Sequence, residues 1–141
     1  VGNGAGLRGL VMASKATGTF DVKMTPQAPD AGGDTAIGRM SIAKTYHGDL
    51  EGTATGQMLA HMTAIDGSAV YVALERVDAT LHGLRGTFVL RHSGVMVRGR
   101  QELSVTVVAD SGTGELVGLA GTLDIIIDGG KHSYVLDYSL G

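Results

Sequence analysis

The chain has 141 residues, with 11 basic and 14 acidic side chains and a net charge of −3, the length of one domain. It has no cysteine and no tryptophan. Disulfide scaffolds, zinc fingers and thiol catalysis are therefore excluded, and the acidic balance argues against a nucleic-acid binder. No apolar run approaches the roughly 20 residues that span a bilayer as a helix, so a cytoplasmic domain with no nucleic-acid and no membrane partner is expected.

Residues 1–14 (VGNGAGLRGLVMAS) read as an N-terminal extension, and 15–141 as a single β-barrel domain. Gly4-Ala5-Gly6-Leu7-Arg8-Gly9 matches the spacing GxGxxG. A dinucleotide site needs a strand before that spacing and a helix after it, and neither is present. Met12 reads as the natural start, with upstream residues before it.

The chain has 23 glycines and only two prolines, and from Thr17 onward they punctuate runs of alternating apolar and polar residues, the rhythm of short antiparallel strands. The pattern predicts eight: Thr19 to Met24, Ile37 to His47, Leu50 to Thr63, Ser68 to Leu81, Leu84 to Val97, Gln101 to Ala109, Thr122 to Asp128 and Lys131 to Leu140. Between the first two lies a loop with Pro26, Pro29 and Gly32-Gly33. Gly48-Asp49, Asp66-Gly67, His82-Gly83, Arg98-Gly99 and Gly129-Gly130 read as hairpin turns. The one helical candidate is a short turn near Glu115 to Leu119.

Turn lengths set register, and register decides which side chains share a face. Two-residue turns place Met58 opposite both Glu75 and Arg39, Glu75 opposite Leu90, Ala73 opposite His92, and Val105 opposite His92. The resulting inward face carries Arg39, Ser41, Ala43, Thr45 and His47 on the second strand. It continues with Ala54, Met58 and Ala60 on the third, Tyr71, Ala73, Glu75 and Val77 on the fourth, and Phe88, Leu90 and His92 on the fifth. One bulge would transfer part of this list to the other face. The small residues leave room inside an eight-stranded barrel for one small ligand. The opposite face carries Met40, Ile42, Leu59, Val70, Val72, Leu74 and Val89 among Lys44, Arg76 and Arg91. That is too apolar for a purely solvated surface. Either it contacts another subunit, making a homo-oligomer, or the two faces are exchanged.

Five segments in order suggest a family: Thr17-Gly18-Thr19-Phe20; Lys44 to Gly52 (KTYHGDLEG); Gly67 to Arg91, running into His92-Ser93-Gly94; Ser111 to Gly121 (SGTGELVGLAG); and Tyr134-Val135-Leu136-Asp137-Tyr138. Together they resemble DUF3224, a family of uncharacterised bacterial proteins. The resemblance implies a small antiparallel barrel similar to allene oxide cyclase and brings no established activity, so function rests on the side chains.

Glu75 and His92, with Tyr71 nearby, are the catalytic candidates. A carboxylate beside an imidazole in a partly desolvated cavity is a workable acid–base pair, and equally a structural ion pair. Arg39, His47, Met58, Ala73, Phe88 and Tyr138 are the candidate ligand-binding residues, with Arg39 placed either to receive a carboxylate or to neutralise Glu75. No HxH pair occurs on any strand. Only a cross-strand Glu75–His92–His47 set could hold a metal, and no metal or cofactor is expected. Gly112-Thr113-Gly114 has no following Lys to make a phosphate loop and reads as a tight connection at one barrel end. The side chains thus describe a small-molecule-binding β-barrel, its cavity lined by small residues with Arg39, Glu75 and His92. The alternatives are a cofactor-independent isomerase or cyclase-like enzyme using Glu75 and His92, and a structural barrel filled by its own side chains.

Overall fold

The structure, a computed structural model, describes residues 13–28 and 36–141. Met12, the GxGxxG spacing, Pro29 and Gly32-Gly33 lie outside the described residues. The eight strands are β1 Ser14–Gln27, β2 Gly38–Gly48, β3 Leu50–Met62, β4 Ala69–Leu81, β5 Leu84–Val97, β6 Arg100–Val107, β7 Leu119–Asp128 and β8 Lys131–Leu140. Each pairs antiparallel with the next, and β1 pairs with β8, closing the barrel. Among the described residues a single 3-10 turn, Gly114–Leu116, stands where the sequence predicted a helical turn. Among the described residues no helix is long and apolar enough to cross a membrane.

Three turns set register as the sequence predicts, one of them Gly129-Gly130, across which Asp128 pairs with Lys131. His82-Gly83 and Arg98-Gly99 have positive φ at both residues (46° and 83°; 49° and 89°), the type I′ geometry whose twist matches the strands it joins. They place Glu75 opposite Leu90, Ala73 opposite His92, and His92 opposite Val105. Asp66-Gly67 does not act as a two-residue turn. The connection runs from Thr63 to Ser68, whose backbones bond to each other at 3.1 Å. Met58 therefore faces Ala73, and Gly56 faces Glu75. The slip is by two residues, so every β3 side chain keeps its face.

The β2–β3 connection differs by one residue, and that changes the face of a whole strand. Met40 faces Met58 and Tyr46 faces Gly52; Arg39, Ser41, Ala43, Thr45 and His47 consequently point outward, while Met40, Ile42, Lys44 and Tyr46 point in. The cause lies far along the chain. The Tyr134 hydroxyl accepts from Leu50 N at 2.9 Å and lies 3.0 Å from His47 O and 3.2 Å from Leu50 O. Asp49 bonds Thr17 in both directions, N to O at 3.1 Å and Oδ2 to N at 2.9 Å. The turn wraps a phenol from β8, and an even-length hairpin does not satisfy those partners.

One half of the barrel is packed solid. Leu50, Ala79, Leu81, Phe88, Leu116 and Leu136 are fully buried there. The 3-10 turn closes the end: Leu116 lies against Gly86, where a side chain would strike both Leu116 and Thr113 O. The other half is looser. β6 and β7 pair only through Thr106 and Thr122, Arg100–Ser104 is exposed throughout, and a fissure of about 600 Å³ follows the seam beside Leu103, Leu123 and Ile125.

Candidate functional site

At the boundary between the packed and the looser half sits a buried polar cluster contributed by β2, β4 and β5. Glu75 is fully buried, and Lys44 and His92 are 7% and 5% exposed. Its Oε1 accepts from Lys44 Nζ at 3.0 Å and from His92 Nε2 at 2.7 Å, and its Oε2 accepts a short bond from the Tyr46 hydroxyl. Lys44 Nζ also lies 4.7 Å from the centre of the Phe20 ring, a favourable cation–π distance. Among the described residues, no buried side-chain nitrogen or oxygen lacks a partner.

The electrostatics follow from those contacts. Burial alone would raise the Glu75 pKa. The His92 hydrogen bond, the Lys44 charge and the Tyr46 hydrogen bond outweigh it and hold the carboxyl below its usual value. Tyr46 moves the other way: burial first, then the Glu75 charge and its hydrogen bond, push the phenol well above its usual value. The cluster is thus an ionised carboxylate with a cation, a neutral phenol donor and an imidazole gathered around it.

His92 joins this cluster through one ring nitrogen, Nε2. An ionised carboxylate only accepts, so Nε2–H donates to Glu75 and a neutral ring presents Nδ1 as an acceptor. Nδ1 has no protein partner among the described residues, yet it is not sealed off as an unsatisfied buried atom. His92 stands on the row Met40–Met58–Ala73–His92. One row further out, Tyr71 pairs with Gly94 and its ring occupies the space a Gly94 side chain would need. Met40, Met58 and Tyr71 are each partly buried. Met24 and Met96 also occupy inward positions at this end, so thioethers line much of the mouth, where unbranched, polarisable side chains adapt to varied shapes.

Glu75 and His92 meet as the register predicted. Met58 and Ala73 share the His92 row, and Tyr71 stands above it. Two expectations are corrected by the turn at Asp49. Arg39 is on the outer face, and Lys44 neutralises Glu75 in its place. His47 is also outside, exposed, with Nε2 3.1 Å from Asp21 Oδ2, so the Glu75–His92–His47 set does not assemble. Phe88 is fully buried in the packed half. Tyr138 turns its hydroxyl to the closed end, 2.5 Å from His82 Nδ1; neither lines the mouth. Lys44 and Tyr46 are the members that sequence reasoning missed. The signal was the parity of β2, where Met40, Ile42 and Tyr46 form a more apolar set than Arg39, Ser41, Thr45 and His47.

The outer face is as apolar as the sequence suggested for β3 to β5. Leu59, Val72 and Leu74 are 46%, 49% and 58% exposed and belong to a shallow hollow of about 1240 Å³ across β2, β3, β4 and β5.

An eight-stranded antiparallel barrel, solid at one end and holding a carboxylate–imidazole–amine–phenol cluster beneath the other, is the class that fold and site define. Within it, the chain belongs to the DUF3224 family. The family profile, described as a protein of unknown function, matches residues 16–138. A crystal structure of a DUF3224 protein of unknown function from Shewanella oneidensis MR-1 is similar, with 45% identity and a TM-score of 0.85 over 92% of this chain and 98% of that one. A comparison with curated proteins finds no match.

Proposed function

We propose that the protein is a small-molecule-binding barrel whose ligand enters the looser half and rests on the Glu75–His92 cluster. The observation that carries this reading is the buried carboxylate that holds His92 by Nε2 while Nδ1 has no partner among the described residues, on a row shared with Met40, Met58 and Ala73. A barrel needing only stability would be served as well by apolar residues, because a buried ion pair seldom outperforms a well-packed hydrophobic isostere. The ligand class follows from the lining: an apolar body, matched to Met40, Met58 and Ala73, bearing a hydroxyl or phenol that donates to Nδ1. The weakly paired β6–β7 seam provides a second way in.

The same dyad supports a catalytic reading. A carboxylate that fixes one ring nitrogen prepares the other as a general base. Nδ1 would take a proton from the bound molecule and return it elsewhere, an isomerisation that needs no cofactor.

Variants separate the two. Calorimetric screening of apolar alcohols and phenols should give ligands whose binding is abolished by Ala73→Leu, which fills the row beside His92, and weakened about tenfold by His92→Gln. A carrier loses affinity alone. An enzyme loses turnover in His92→Gln by about a hundredfold or more with a smaller change in affinity. Ligands whose affinity is the same in both variants would place binding elsewhere and refute the reading.

A further inference from the structure

The outer hollow across β2–β5 has a charge pattern that its position in an acidic protein does not require. Arg39, Arg76 and Arg91 line it, and among the described residues none of its lining side chains is Asp or Glu. Arg76 makes no ion pair there, and Arg91 reaches only the Thr106 hydroxyl, at 3.4 Å from Nε and 3.3 Å from a terminal nitrogen. The register makes these two diagonal neighbours: Arg76 faces Val89, and Arg91 faces Leu74. Such diagonal neighbours lie roughly 7–8 Å apart or somewhat less on one face, so these two cations share a site with no counter-charge among the described residues that line it. Beside them Leu59 faces Val72, and with Leu74 these side chains make an exposed apolar floor.

We propose that this hollow binds a small amphipathic anion, a carboxylate or sulfonate on an apolar body. Arg76 and Arg91 take the head group and Leu59, Val72 and Leu74 hold the body. Guanidinium groups present paired N–H donors in the geometry a carboxylate accepts, and the hollow is large enough to take a small molecule. A second copy of the chain is a poorer occupant, since a two-fold contact centred here sets arginine against arginine.

The test is calorimetric titration of the full chain with decanoate and with decanol, which share a body and differ in the head. Decanoate should bind at least about tenfold tighter than decanol. Arg76→Gln and Arg91→Gln should each weaken decanoate by about fivefold or more, and Leu74→Glu should abolish it. All three side chains are exposed, so the fold should tolerate the changes. The salt dependence of the unmodified protein gives a readout independent of any variant: decanoate affinity should fall with ionic strength and decanol affinity should not. Equal affinities for the two probes, variants within about twofold of the unmodified protein, or a salt-independent decanoate affinity would each overturn the proposal. So would an oligomer that Leu74→Glu dissociates and that does not take up decanoate, which would identify a second copy as the occupant.

Discussion

Replacing Glu75 by Gln removes the central charge of the buried cluster while nearly preserving its shape. Lys44 is then left with its cation buried and only neutral acceptors around it. Removing one member of a buried ion pair costs about 3–5 kcal/mol, because the remaining charge has lost its compensation. With 141 residues at about 2.1 cal/mol/K each, the unfolding entropy is about 0.3 kcal/mol/K, and the loss corresponds to a drop in Tm of roughly 10–17 °C. Lys44→Met made together with Glu75→Gln removes both charges, and the double variant should recover most of that loss. The pH dependence has a definite sign. The folded pKa of Glu75 lies below its usual 4.5, so its contribution is fully present above that value and is lost as pH falls through the lowered folded pKa. The unmodified protein should therefore lose more stability on acidification than Glu75→Gln does, and the two curves should converge at the acid end. Urea denaturation as a function of pH measures both effects. A loss in Glu75→Gln below about 1 kcal/mol, or parallel pH curves for the two proteins, would refute the account of the cluster as an ionised, mutually compensated group.

Other substitutions test the elements that position the site. Tyr134→Phe removes the hydroxyl inside the β2–β3 turn and leaves Leu50 N–H without its partner; it should cost about 1–3 kcal/mol and speed hydrogen exchange at Leu50 before the rest of β3. Unchanged exchange at Leu50 would mean that the phenol does not hold the turn. Gly94→Ala puts a methyl group where the Tyr71 ring lies; displacing the ring should cost about 1–3 kcal/mol, read by denaturation, with a shifted Tyr71 ring signal by NMR. Leu116→Ala, which opens the closed end, should cost about 2–5 kcal/mol in the same assay while leaving the pH dependence assigned to Glu75 intact.

What was legible in the sequence was local. His82-Gly83 and Arg98-Gly99 carry their turn type in their own residues, so the placement of Glu75, Ala73 and His92 on one face followed directly. The longer connection after Met62 did no harm, because a slip of two residues preserves parity. The turn at Asp49 was not legible, because its length depends on Tyr134 and Thr17, residues distant in the chain whose position requires the barrel to be closed. That one-residue difference exchanged Arg39 and His47 for Lys44 and Tyr46. It replaced an arginine at the cavity wall with a lysine buried beneath it. The apolar parity of Met40, Ile42 and Tyr46 carried the correct answer, and the hairpin rule overrode it. Phe88 and Tyr138 sit on inward positions as inferred. Which half of a barrel is filled depends on the plug formed by Leu116 and on the seam between β6 and β7, neither of which strand periodicity encodes.

The central claim, that the looser half holds a small molecule against the Glu75–His92 cluster, is tested most directly by native mass spectrometry of the gently purified protein beside Ala73→Leu. The account predicts a non-covalent mass on the unmodified chain that is lost on denaturation and absent from the variant. A clean apo mass for both, or an adduct retained equally by both, would contradict it.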